Sequence, residues 1–140
     1  MLRYIATAVV AILLTLHPQQ ASATWRHQEC RYESLQPGLW TQVEENRTAR
    51  CVVDHFTVPG GFDKLSYVAS CESSWNRLAR NGDYVSLFQH DIDYWPSRVR
   101  AFEPAYWDLA PSPFNSRTQI VVTARMARAS GWDAWPTCGS

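Results

Sequence analysis

A length of 140 residues makes one domain the default expectation. The 13 basic and 13 acidic residues cancel, so charge gives no case for a nucleic acid or an anionic membrane as partner. Seven tryptophans, six tyrosines and five phenylalanines are many for so small a chain, and divide between core packing and a groove with aromatic walls. Of the basic residues only Lys64 is a lysine.

Residues 1–23 carry the three parts of a secretory signal peptide. Arg3 is the positive flank, Ile5 to Leu16 the apolar stretch, and Ala21-Ser22-Ala23 the small-residue cleavage site. That apolar run is too short to span a bilayer comfortably, so no membrane association is expected once the leader is removed. Export changes how the cysteines read. Four of them, Cys30, Cys51, Cys71 and Cys138, point to two disulfides rather than a zinc site, because no Cys-x-x-Cys or His-x-x-x-His spacing is present. Three pairings are open. Cys71–Cys138 with Cys30–Cys51 is favoured, since it staples the chain terminus to the acid-bearing helix described next. Cys51–Cys71 with Cys30–Cys138 is the alternative, reached if two helices fold back at Pro59-Gly60-Gly61.

Residues 24–60 read as an N-terminal arm and helix. The arm, Thr24 to Gly38, is tied down through Cys30, and the helix runs from Leu39 to Phe56 with a Thr41/Glu44 capping box. Its apolar stripe is Leu39, Trp40, Val43, Cys51, Val52 and Phe56, interrupted by a polar turn from Glu44 to Arg50. Asn46-Arg47-Thr48 matches the glycosylation sequon, and Val58-Pro59-Gly60-Gly61 is a turn. A second helix, from Phe62 to Cys71 or Glu72, repeats apolar residues at Phe62, Leu65, Val68 and Ala69, which places Glu72 on or beside the inward face. A carboxyl there is costly unless it is used or paired, and Arg77 and Arg80 are the nearby partners a salt bridge would take. Asn81-Gly82-Asp83 is a turn, followed by a strand or extended segment over Tyr84–His90 with Tyr84, Leu87 and Phe88 as its apolar members. Asp91–Tyr94 and Pro96–Phe102 then read as two short helices, and Glu103–Phe114, with three prolines, as loop. Asn115 or Ser116 caps a last helix that runs to Ser130, stops at Gly131 and offers Ile120, Val121, Ala124 and Ala127 to the core. Trp132 and Trp135 read as a C-terminal plug.

Residues 61–140 carry the chemistry. Glu72-Ser73 and Asn76 close one helix, Ser86-Leu87-Phe88-Gln89 follows a loop, Asn115 opens another helix with Gln119 four residues on, and Gly131-Trp132-Asp133-Ala134-Trp135 closes the chain. In that order and spacing they resemble the lysozyme-like superfamily, specifically the catalytic domain of soluble lytic transglycosylases in its small exported actinobacterial or actinophage form. The resemblance covers Gly61 to Cys138 and leaves residues 24–60 outside it. It implies a mainly α, α+β lysozyme-like fold around a glycan-binding groove, stapled by disulfides. It also implies cleavage of the β-1,4 bond between N-acetylmuramic acid and N-acetylglucosamine in peptidoglycan, with Glu72 as proton donor and then base. Two departures stand out: Ser86 replaces the glycine of the Gly-Leu-Phe-Gln motif, and Arg77 replaces a proline.

Ordinary glycosidases use two carboxylates. Asp63, Asp83, Asp91 and Asp93 are near in sequence, but none holds a position that marks it as the second. That fits the transglycosylase scheme, in which the sugar's own 6-hydroxyl attacks and no metal or organic cofactor takes part. The expected substrate contacts are Ser73, Asn76, Tyr84, Ser86, Gln89, Tyr94 and Asn115, with capping and turn formation as the competing roles of the polar ones. His90 is given no catalytic role. The expected protein is monomeric and secreted or cell-wall associated, and its partner is the peptidoglycan glycan strand. A lysozyme-type hydrolase, a glycan-binding domain with a degenerate site, and a disulfide-stapled inhibitor or structural protein are the competing readings.

Overall fold

The computed structural model describes Cys30, residues 42–104 and residues 111–140. The expected leader, the arm apart from Cys30, the apolar Leu39 and Trp40, and the Thr41 of the capping box lie outside the described residues. In chain order the elements are α1 (Gln42–Phe56), α2 (Gly61–Ser73), β1 (Arg80–Asn81), β2 (Tyr84–Val85), β3 (His90–Asp91), α3 (Trp95–Phe102) and α4 (Ser116–Ser130). The architecture is mainly helical α+β with two disulfides, Cys30–Cys51 and Cys71–Cys138. Among the described residues no helix is long and apolar enough to cross a membrane.

The centre of the molecule is α4. Asn115 caps it by accepting the Thr118 N–H at 2.9 Å, and Gly131, at φ 73°, ends it. Ile120, Val121, Val122, Ala124 and Ala127 are fully buried, and so are Thr118, Gln119 and Thr123. Burial nearly all round follows from packing against both α1 and α3, and most of its buried polar groups find partners inside the fold. Arg117, for instance, meets the equally buried Glu103 at 2.8 Å.

α1 packs on α4 and α2 with a phase different from the expected one. Its inward residues are Glu45, Thr48, Ala49, Val52, Val53 and Phe56, a regular i, i+3, i+4 stripe, while Val43 is 60% exposed. The segment taken for a polar interruption therefore carries the inward face. Glu45 is accommodated because the Ser116 hydroxyl donates to its Oε1 at 2.6 Å. Thr48 is wholly buried within α1, so the sequon lies in a packed helix and not on a surface loop.

The turn before α2 needs its glycine. Gly60 sits at φ 77°, and a Cβ there would stand 2.6 Å from Lys64 Cβ. Leu65, Val68 and Ala69 of α2 are fully buried. Two consecutive left-handed residues, Ser74 (φ 54°) and Trp75 (φ 59°), end the helix, the first donating its N–H to Ser70 O at 2.9 Å.

The three short strands form an antiparallel sheet in the order β1-β2-β3. Asn81 pairs with Tyr84 across a two-residue turn whose first member is Gly82 at φ 60°, the residue such a hairpin demands. Tyr84–His90 is thus not one strand. It is β2, a four-residue turn over Ser86–Gln89, and the first residue of β3, with Val85 opposite His90. The helix expected over Asp91–Tyr94 is likewise replaced by the end of β3 and a turn, in which Asp91 Oδ1 accepts the Asp93 N–H at 2.9 Å. α3 then starts at Trp95 with Pro96 in its first turn.

Candidate active site

α2 delivers Glu72 in its last turn, one step past the buried Val68–Ala69 pair, at the edge of a cleft of about 520 Å³. Its lining combines Glu72 with Asn81, Tyr84 and Gln89 from the sheet and its turn, and the C-terminal segment 134–137. Glu72 is half-buried and, among the described residues, its carboxylate has no hydrogen bond or ion pair. Burial against the cleft wall raises its carboxyl above the ordinary glutamate range. A salt bridge to Arg77 or Arg80 does not form. Arg77 acts through space on Glu45, and the Arg80 guanidinium stands 5.7 Å from the centroid of the Phe114 ring. Glu72 is also the single carboxylate among the described residues lining the cleft; Asp63, Asp83, Asp91 and Asp93 do not line it.

Of the other expected site residues, Tyr84 and Gln89 line the cleft, while Ser73, Asn76, Ser86, Tyr94 and Asn115 do not. Gln89 donates its amide N–H to Ser86 O at 2.9 Å, which leaves its carbonyl oxygen as acceptor. Ser73 Oγ is 2.9 Å from Leu87 O and 3.1 Å from Ala69 O, so it ties the acid-bearing end of α2 to the turn that carries Gln89. Asn76 Oδ1 accepts the Leu78 N–H at 3.0 Å and shapes the chain leaving α2. Tyr94 is exposed at the start of α3, and Asn115 is the cap of α4.

Ser86 is fully buried at φ 68°, and among the described residues its hydroxyl finds no hydrogen-bond partner. That backbone conformation is the physical reason a glycine suits the first place of this motif. The turn is held from behind. Gln119 accepts the Phe88 N–H at 3.3 Å and donates to Pro113 O at 2.8 Å, and Trp135 Nε1 donates to Phe88 O at 2.8 Å.

Asn81, Trp135 and Thr137 were not foreseen in the cleft. The disulfide Cys71–Cys138 puts the last of these there, because it fixes the residue after Thr137 to the residue before Glu72. Trp135 plugs the core as expected and, by its other edge, walls the cleft. Beneath it lies His90, fully buried between Trp95 and Trp135, its ring centroid 5.4 and 5.7 Å from theirs. Arg98 Nη1 donates to His90 Nδ1 at 2.7 Å, so the ring proton sits on Nε2 and is given to Thr123 Oγ1 at 2.8 Å. Burial and then the Arg98 charge hold His90 neutral, well below its usual protonation range. Among the described residues no three His, Cys, Asp or Glu side chains gather closely enough to hold a metal ion.

No family model and no solved structure matches the chain. Over 80 residues it is 35% identical to resuscitation-promoting factor RpfC of Mycobacterium tuberculosis, a stretch that makes up 52% of this chain and 48% of RpfC. The chain therefore spans about half the length of that curated relative. Together with the helical α+β fold, this likeness supports the lysozyme-like superfamily and nothing narrower.

Proposed function

We propose that the protein cleaves the β-1,4 bond between N-acetylmuramic acid and N-acetylglucosamine in peptidoglycan, as a lytic transglycosylase with Glu72 as its one catalytic carboxyl. The observation that carries this reading is the pairing of a half-buried, unpartnered Glu72 with a cleft that has no second carboxylate among its described lining. Burial raises the Glu72 carboxyl, which enlarges the fraction that holds a proton to give when a neutral sugar enters. Glu72 gives that proton to the bridging oxygen as the bond to the muramic C1 breaks. The muramic 6-hydroxyl then attacks C1 and returns its proton to the Glu72 carboxylate, closing a 1,6-anhydro ring. Tyr84, exposed at the cleft, offers a face for a sugar ring, Trp135 walls the cleft by an edge, and the Gln89 carbonyl oxygen offers an acceptor for an acetamido N–H. The likeness to a resuscitation-promoting factor and the two disulfides, which favour an oxidising compartment, support an exported protein working at the cell wall.

Digestion of purified peptidoglycan followed by mass spectrometry of the products tests the assignment. Anhydro-muropeptides, about 18 mass units lighter than hydrolytic products through the loss of one water, are expected. Reducing-end muramic acid alone would make the protein a lysozyme-type hydrolase. Binding without any cleavage would make it a glycan-binding domain.

A further inference from the structure

The cleft beside Glu72 has no cation among its described lining, yet a second cleft close by is rich in donors. It has a volume of about 280 Å³ and lies between the chain leaving α2 and the approach to α4, lined by Arg77, Ser112, Phe114, Asn115 and Ser116. Arg77 brings a guanidinium, which can only donate, and among the described residues no carboxylate lies within ion-pair distance of it. The oxygen of the Asn115 amide is taken by the N–H and hydroxyl of Thr118, at 2.9 and 3.1 Å, so its NH₂ is left to donate. Ser112 Oγ accepts the Phe114 N–H at 3.2 Å, and its own proton is likewise available. The acid that faces Arg77 is Glu45, buried beneath Ser116, whose hydroxyl already occupies Oε1 at 2.6 Å. The site therefore presents donors to whatever enters it.

Arg77 lines this cleft and Asn81 lines the first, and four residues of chain reach at most about 14 Å. That bound is within the span of a short oligosaccharide. We propose that the second cleft binds a carboxylate carried by the same strand that Glu72 cleaves, with Arg77 as the residue that selects for it. This rests on the Glu72 reading for the identity of the strand. The carboxylate has two sources with the same chemistry: the lactyl group of muramic acid in strands stripped of peptide, or the peptide itself in intact strands.

Binding to the Glu72→Gln protein, which separates recognition from turnover, tests the inference. The probes are chitohexaose, which has no carboxylate, peptide-stripped muramic strands, and peptide-bearing strands, titrated calorimetrically. Adding Arg77→Gln should weaken at least one carboxylate-bearing strand about tenfold while chitohexaose is unchanged, and Arg77→Lys should recover part of the loss. The strand that shows the contrast names the source. Equal loss on all three probes with a lowered melting temperature would make Arg77 a structural counter-charge to Glu45 and overturn the proposal, as would no loss at all. Cleavage of the same probes by the unmodified chain tests the Glu72 reading separately. An uncleaved set with the Arg77 contrast intact would remove that reading and keep the carboxylate site.

Discussion

Ser86→Gly should stabilise the protein. Ser86 is fully buried in a left-handed conformation, φ 68°, which costs an L-residue about 1–2 kcal/mol. Its hydroxyl is buried without a partner, a further cost of about 1–3 kcal/mol. Against these stand the extra freedom that glycine has in the unfolded chain, about 0.5–1 kcal/mol, and the packing lost with one small side chain. A net gain of about 1–2 kcal/mol follows, or a rise in melting temperature of roughly 5–10 °C for a domain of this size. Ser86→Ala separates the contributions, since it removes the hydroxyl and keeps the backbone strain, and should recover only the hydroxyl's share of about 1–3 kcal/mol. Because Ser86 does not line the cleft, the turnover of the glycine variant should stay within about twofold of the parent, far below the losses typical of removing a catalytic group. Thermal unfolding of the three proteins side by side is the assay. A glycine variant melting at or below the parent would show that the strain or the orphaned hydroxyl has been misread.

Glu72→Gln should lower the lytic rate about 10²–10⁴-fold while melting temperature holds or rises, because a neutral amide is easier to bury than a carboxylate; a fully active variant would remove Glu72 from the mechanism. Since burial raises the Glu72 carboxyl, its folding contribution is fully present below the ordinary glutamate range and lost as pH rises through the folded value, and the lytic rate should fall over that same rise. His90 works the other way. Its folded pKa is depressed, so stability is complete above about pH 6.5 and falls by up to about 1.4 kcal/mol per pH unit below it, a slope that His90→Gln should flatten in denaturation midpoints measured from pH 7 to 5. Opening Cys71–Cys138, which closes 67 residues of chain, should cost about 4 kcal/mol on the chain-entropy model, against about 3 for Cys30–Cys51 with its separation of 21. Chemical denaturation of the two double-serine variants gives the ordering, and equal losses would contradict it.

What could be read from the sequence was what local chemistry decides. Asn115 and Gly131 bracket α4, Gly82 fixes the first hairpin, and the spacing of Leu65, Val68 and Ala69 sets the face on which Glu72 emerges. The phase of α1 was not legible from its apolar residues, because Glu45 and Thr48 carry the inward face and Glu45 is acceptable there only once Ser116, in another helix, is beside it. Gln89 was visible as a motif member, and Tyr84 as an aromatic that either the groove or the core could take. Asn81 and the 134–137 wall were not, since a hairpin register and a disulfide place them, and neither leaves a periodic trace. Ser86 was visible as a departure. That it lies behind the cleft and not in it depends on Gln119 and Trp135 pinning the turn from the core side.

The central place of α4 has a consequence for the order of assembly. A chain made from its N-terminus contains α1 and α2 well before α4, on which α1 packs, and Cys71 waits beside Glu72 until Cys138 exists. During that interval its nearest wrong partner in sequence is Cys51. Both cysteines of the Cys30–Cys51 bond are present by the end of α1, and once made it takes Cys51 out of competition. Closing the short loop first would therefore leave Cys71 free for Cys138, the neighbour of the residues that wall its own cleft.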